Sequence, residues 1–121
     1  WPLMGDNYFP DDNIISNIFT ISAFSDPSLV QFMHRNLGYL IVLFYFFILF
    51  IIFRKKHKHL YYSIILTGIF LFLQIILGIL TLVSGAAIIL ASLHQISSIF
   101  LVSSIIYFVF INIKSNQRLL N

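Results

Sequence analysis

The sequence contains no cysteine, so no disulfide can staple the chain and none reports its redox compartment. Charge is nearly as scarce. Lysine, arginine, aspartate and glutamate make up 9% of the 121 residues, far below the roughly 25% of an ordinary soluble domain. That deficit excludes a soluble 14.0 kDa globule, whose surface would need more charge to cover it. The four acidic residues, Asp6, Asp11, Asp12 and Asp26, all precede residue 28, and no basic stretch accompanies them. A cleavable signal peptide is a poor reading of such a segment. The apolar runs that follow hold no Cys, Asp or Glu, which counts against a closed zinc site with four protein ligands.

What is present is apolar: 60% of residues are hydrophobic and the mean hydropathy is +0.97. Three runs, at residues 29–53, 60–83 and 86–113, each reach the ~20 residues needed to span hydrocarbon. The chain is therefore expected to be an all-α membrane protein with three transmembrane helices. Its parts are an outer loop at residues 1–27, a membrane domain at 28–113 and a short tail at 114–121. Arg54, Lys55, Lys56 and Lys58 fill the first connection, and Lys114 and Arg118 follow the last span. By the positive-inside rule both regions face the cytoplasm or matrix, with the N-terminus outside. The net charge of +3 belongs mainly to that inner loop, which suits anionic lipid and not nucleic acid. His57 and His59 share this reading.

Local signals refine the picture. Ser84 and Gly85 in an uncharged connection at 83–87 predict a tight turn that makes the second and third spans antiparallel neighbours. Before the first span, Asp12 or Asn13 can cap a short helix whose Ile14, Ile15, Ile18, Phe19 and Ile21 form an apolar stripe. Such a helix is expected to lie on the outer membrane surface. Ser25-Asp26-Pro27 reads as a turn and helix start, with Pro27 presetting the first-turn geometry.

Two ionisable side chains lie inside the spans at matching depth. His34 follows the first span's start near Ser28 by about six residues, on the order of 9 Å at ~1.5 Å per residue, and His94 follows a start near Ile88 by the same amount. A lone intramembrane histidine suits a structural hydrogen bond, whereas two at one level suit a shared metal. Haem iron accepts two axial imidazoles and takes its other ligands from the porphyrin. Gln74, Gly78 and Thr81 share one face of the second span, where Gly78 removes bulk for a flat ring or for a neighbouring helix. Arg35 can reach a haem propionate or a phospholipid headgroup. The serines of the third span, Ser92, Ser97, Ser98, Ser103 and Ser104, are expected to bond helix carbonyls and receive no site role.

The motifs Gln31-Phe32-Met33-His34-Arg35, Gln74-Ile75-Ile76-Leu77-Gly78-Ile79-Leu80-Thr81 and Leu90-Ala91-Ser92-Leu93-His94-Gln95 resemble, in order and spacing, the C-terminal half of haem A synthase. The opening Trp1-Pro2-Leu3-Met4-Gly5 resembles the outer loop before that family's sixth helix. Members have eight transmembrane helices in two four-helix halves and oxidise a methyl group of haem O to the formyl group of haem A. The resemblance implies that this chain corresponds to helices six to eight, most of a four-helix haem-binding bundle. The other half of such enzymes carries Glu-x-x-His-Arg, and Gln31 stands at the equivalent of that Glu. An amide cannot serve as a carboxylate acid or base, so this half looks like the cofactor half, binding haem b through His34 and His94. Six-coordinate iron suits electron transfer or structural support more than oxygen activation.

Without the catalytic half or the fifth helix, the chain resembles a fragment of a longer chain, a split gene product or a remnant, and is not expected to catalyse alone. Expected partners are haem, those missing segments, the lipid bilayer, haem O synthase and cytochrome oxidase assembly factors. The abundance of Ile, Phe, Asn and Lys is compatible with an AT-rich bacterial genome, although this hint does not separate a bacterial membrane from an organelle's; the expected location is the bacterial plasma membrane, ahead of the mitochondrial inner membrane. An alternative of another class is a three-helix haem b anchor that relays electrons for a respiratory dehydrogenase. A transporter fragment is a third reading, for which the spans offer no broken helix or midplane charge.

Overall fold

The computed structural model describes residues 3–120, so Trp1 and Pro2 of the opening stretch, and Asn121, lie outside the described residues. Three long helices carry the fold: α1 (Pro27–Arg54), α2 (Tyr61–Val83) and α3 (Ile88–Leu120). Three stretches are long and apolar enough to cross a membrane, Pro27–Arg54, Lys58–Val83 (α2 with the 3-10 turn before it) and Ile88–Ser115. The chain divides into two units, residues 1–43 and 44–121.

In the first unit the segment before α1 does not form the single capped helix that its stripe predicts. It makes two 3-10 turns, Ile15–Phe19 and Ile21–Phe24, and neither has a side-chain cap. Thr20 interrupts them in an extended conformation, its hydroxyl donating to the Asn17 carbonyl at 2.6 Å. The expected caps are engaged elsewhere. The Asn13 amide donates to Asp26 and to the Ser28 hydroxyl, and Asp12 accepts from Ser28. Ile14, Ile15, Phe19, Ile21 and Phe24 remain exposed, as the stripe requires of a segment lying on a bilayer surface.

The start of α1 is built by Asp26. Its carboxylate accepts from the Ser28 and Leu29 amides at 3.0 and 3.1 Å, taking up two of the donors that a helix N-terminus leaves open. The Ser28 hydroxyl, then the Leu29 amide and the Asn13 side chain, hold that carboxyl below its ordinary range. Tyr8 and Phe9 set their rings edge-on to Phe32, and the Tyr8 hydroxyl donates to Asn36 at 2.7 Å. The outer segment is thereby fastened to the first three turns of α1.

In the second unit α2 and α3 pack together through the turn after Val83. The Ala86 amide donates to the Thr81 carbonyl and the Gly85 amide to Leu82, a Schellman closure with Gly85 at φ +67°. At the other end Ile52, Leu60 and Ile64 form a buried cluster, covered by Tyr45, Ile48, Leu49, Tyr61, Phe108 and Ile111. The Tyr45 hydroxyl donates to the Ile64 carbonyl at 3.2 Å and lies over Gly68, where a Cβ would collide with it.

Candidate functional site

The contact between α2 and α3 has a polar centre. Phe70 stacks on Phe100, with centroids 5.7 Å apart and planes 16° from parallel. One turn further along α2, Gln74 meets His94 and Ser97, and one turn beyond that Gly78 faces His94. The steps of four residues on α2 put Phe70, Gln74 and Gly78 along one side of that helix. Antiparallel pairing across the short turn brings Phe100, Ser97 and His94 opposite them in reverse order.

The Gln74 amide nitrogen lies 3.1 Å from the His94 carbonyl oxygen and 3.2 Å from His94 Nε2. Its oxygen accepts from the buried Ser97 hydroxyl, which also lies 3.0 Å from the His94 carbonyl. All three polar functions of Gln74 are thus spent on α3. An ideal Cβ on Gly78 would sit 3.1 Å from His94 Cε1, tighter than ordinary van der Waals contact. The group nearest to the missing side chain of Gly78 is the His94 imidazole.

Of the residues expected from the sequence, Gln74, Gly78 and His94 are brought together. Thr81 is not part of this group, since its hydroxyl bonds back to the Leu77 carbonyl at 2.7 Å. Ser97 bonds the His94 carbonyl, as expected of the serines on this helix, and its hydroxyl also meets Gln74 across the interface, a contact that was not anticipated. Ser98 and Ser104 do what was expected, donating to the Gln95 and Leu101 carbonyls. His34 and Arg35 belong to the other unit, on α1. There His34 is exposed and Arg35 is buried at 9% exposure. No spacing rule would have singled out Ser97, because five serines on one helix look alike until α2 is placed beside it.

Among the described residues no three His, Cys, Asp or Glu side chains cluster as metal ligands do.

The sequence pattern of the COX15-CtaA family, described as cytochrome oxidase assembly protein, matches residues 1–106. The chain belongs to this family. Its curated relatives include proteins named "Heme A synthase" from Pelagibacter ubique, 39% identical over 116 residues, and from Rickettsia prowazekii, 40% identical over 114. A third relative of the same name, from Rickettsia felis, is 38% identical over 111 residues. These alignments cover 96%, 93% and 92% of this chain but only 33%, 34% and 33% of the relatives. The chain therefore spans about a third of the length of the curated relatives it matches. No solved structure matches it. Within the family frame, residues 1–106 take in α1, α2 and both intramembrane histidines.

Proposed function

We propose that this chain is the haem b-holding part of a haem A synthase, in which His34 and His94 would be the protein ligands of the haem iron. Family membership over residues 1–106 carries the proposal, because it encloses both histidines within proteins named for haem A synthesis. The chemistry of the residues supports it. Histidine imidazoles ligate haem iron, and the porphyrin itself would supply the remaining nitrogens, so two histidines would suffice to hold the group. When bound, the haem supplies one-electron redox chemistry.

The protein's own groups act around it. His94 is held by Gln74 and given clearance by Gly78. His34 presents an exposed imidazole on α1, an ionisable group of the kind that marks functional sites within membrane spans. Arg35 is the cation this half offers to a propionate. Its burial speaks against a headgroup contact. Gln31 lacks an ionisable carboxyl, so it does not itself act as a carboxylate acid or base toward a substrate. The methyl-to-formyl oxidation of haem O is accordingly a proposal for the whole enzyme, set in a bacterial plasma membrane with the first connection inside. No observation favours the dehydrogenase-anchor reading over it.

The test is haem content. The protein purified in lipid nanodiscs should give a pyridine haemochrome of haem b at about one per chain. Wild-type protein that takes up no haem, supplied either during expression or by titration, would overturn the proposal.

A further inference from the structure

The contacts of Gln74 fix where the proton of His94 resides. A backbone carbonyl only accepts, so the Gln74 atom 3.1 Å from the His94 carbonyl is the amide nitrogen. Its oxygen is correspondingly turned to the Ser97 hydroxyl. The same nitrogen lies 3.2 Å from His94 Nε2, and it can only donate there. Nε2 is then the acceptor, and a neutral imidazole that accepts at Nε2 carries its hydrogen on Nδ1. Gly78 lets the ring lie close enough to α2 for this contact.

We infer that Gln74 is a positioning residue that keeps His94 in the Nδ1-protonated tautomer and caps Nε2 until iron takes its place. The second half of this inference rests on His94 being an iron ligand. The arrangement has a clear use. Iron needs the Nε2 lone pair, and a tautomer set beforehand means that no proton must move within the ring when the bond forms. In the meantime the amide covers a polar atom that would be costly to leave bare in a bilayer. Being neutral, it adds no charge to the span. When Nε2 is taken, Gln74 can give up that one contact and keep its bonds to the His94 carbonyl and Ser97.

The experiment is nitrogen NMR on histidine-labelled protein, produced in a haem-deficient host and placed in lipid nanodiscs. The His94 signals are assigned by their loss in His94→Ala. Wild-type His94 should show a protonated Nδ1 and an unprotonated Nε2, with Gln74→Leu collapsing this pattern toward averaged tautomers. Ser97→Ala, which frees the Gln74 oxygen without touching the imidazole, should produce a partial shift in the same direction. A wild-type ring protonated at Nε2, or a pattern unchanged in Gln74→Leu, would overturn the positioning role. Haem-loaded samples read the ligand separately. A haem b spectrum unaltered in His94→Ala would overturn the iron half while leaving the tautomer result standing.

Discussion

Gly78 shows how little space the His94 ring is given. With its Cβ position 3.1 Å from His94 Cε1, Gly78→Ala requires the imidazole to move by a few tenths of an ångström. Alanine's better helix propensity, about 1 kcal/mol over glycine, partly offsets that crowding. Gly78→Leu has no such relief. Overpacking a well-filled contact costs about 1–3 kcal/mol, and the movable element here is the ring held by Gln74. We therefore expect Gly78→Ala to retain most of its haem, whereas Gly78→Leu loses it, as measured by haem-to-protein ratio. Equal haem content in the Gly78→Leu variant and wild type would show that the ring does not depend on this clearance. The role of Gly78 was half legible in the sequence: its position on the Gln74 face signalled a close approach. What approaches is a side chain of α3, which the spacing within α2 could not reveal.

At the scale of elements, the two connections are closed by the same device with different residues. After α2, Gly85 takes the left-handed position at φ +67°. After α1, the His57 amide donates to the Ile52 carbonyl and the Lys56 amide to Phe53, which puts Lys56 in that position at φ +56°. A side chain there costs about 1 kcal/mol more than glycine. Lys56→Gly should thus raise stability by about 1 kcal/mol in a reversible detergent unfolding assay. Lys56→Ala removes the same charge but keeps the strain, and should show no such gain. Equal stabilisation by both would attribute the effect to charge. The glycine turn was plain from Ser84-Gly85, whereas a basic run predicts topology and hides its backbone conformation. The 3-10 turns before α1 escaped the sequence for a related reason. An apolar stripe specifies a face, but Asn13 and Asp12 found better acceptors and donors at Asp26 and Ser28 than at a helix start.

For the molecule as a whole, three spans and the antiparallel pairing of α2 with α3 follow from apolar length and a charge-free turn, whereas α3 runs on to Leu120, through the stretch read from the sequence as a tail. Bilayer thickness sets the length of a span, and a short connection forces its two flanking spans to be antiparallel neighbours. Side-chain partnerships across helices are less legible. The Tyr45 hydroxyl over Gly68 and the Ser97 hydroxyl on Gln74 depend on rotation about each helix axis, to which a run of Ile, Leu and Phe on every side gives few clues. Those same residues leave α1 with Leu37, Leu40, Leu43, Phe44, Phe47 and Phe50 exposed. Such a surface calls for lipid or for further helices, in keeping with a chain that spans a third of its relatives' length.

The central claim is that His34 and His94 share one iron, and electron paramagnetic resonance of the oxidised protein tests it most directly. Wild-type protein should give the low-spin ferric signal of two axial imidazoles. His34→Ala and His94→Ala should each convert it to a high-spin signal or abolish it with the haem. A low-spin signal that persists unchanged in either variant would contradict the account.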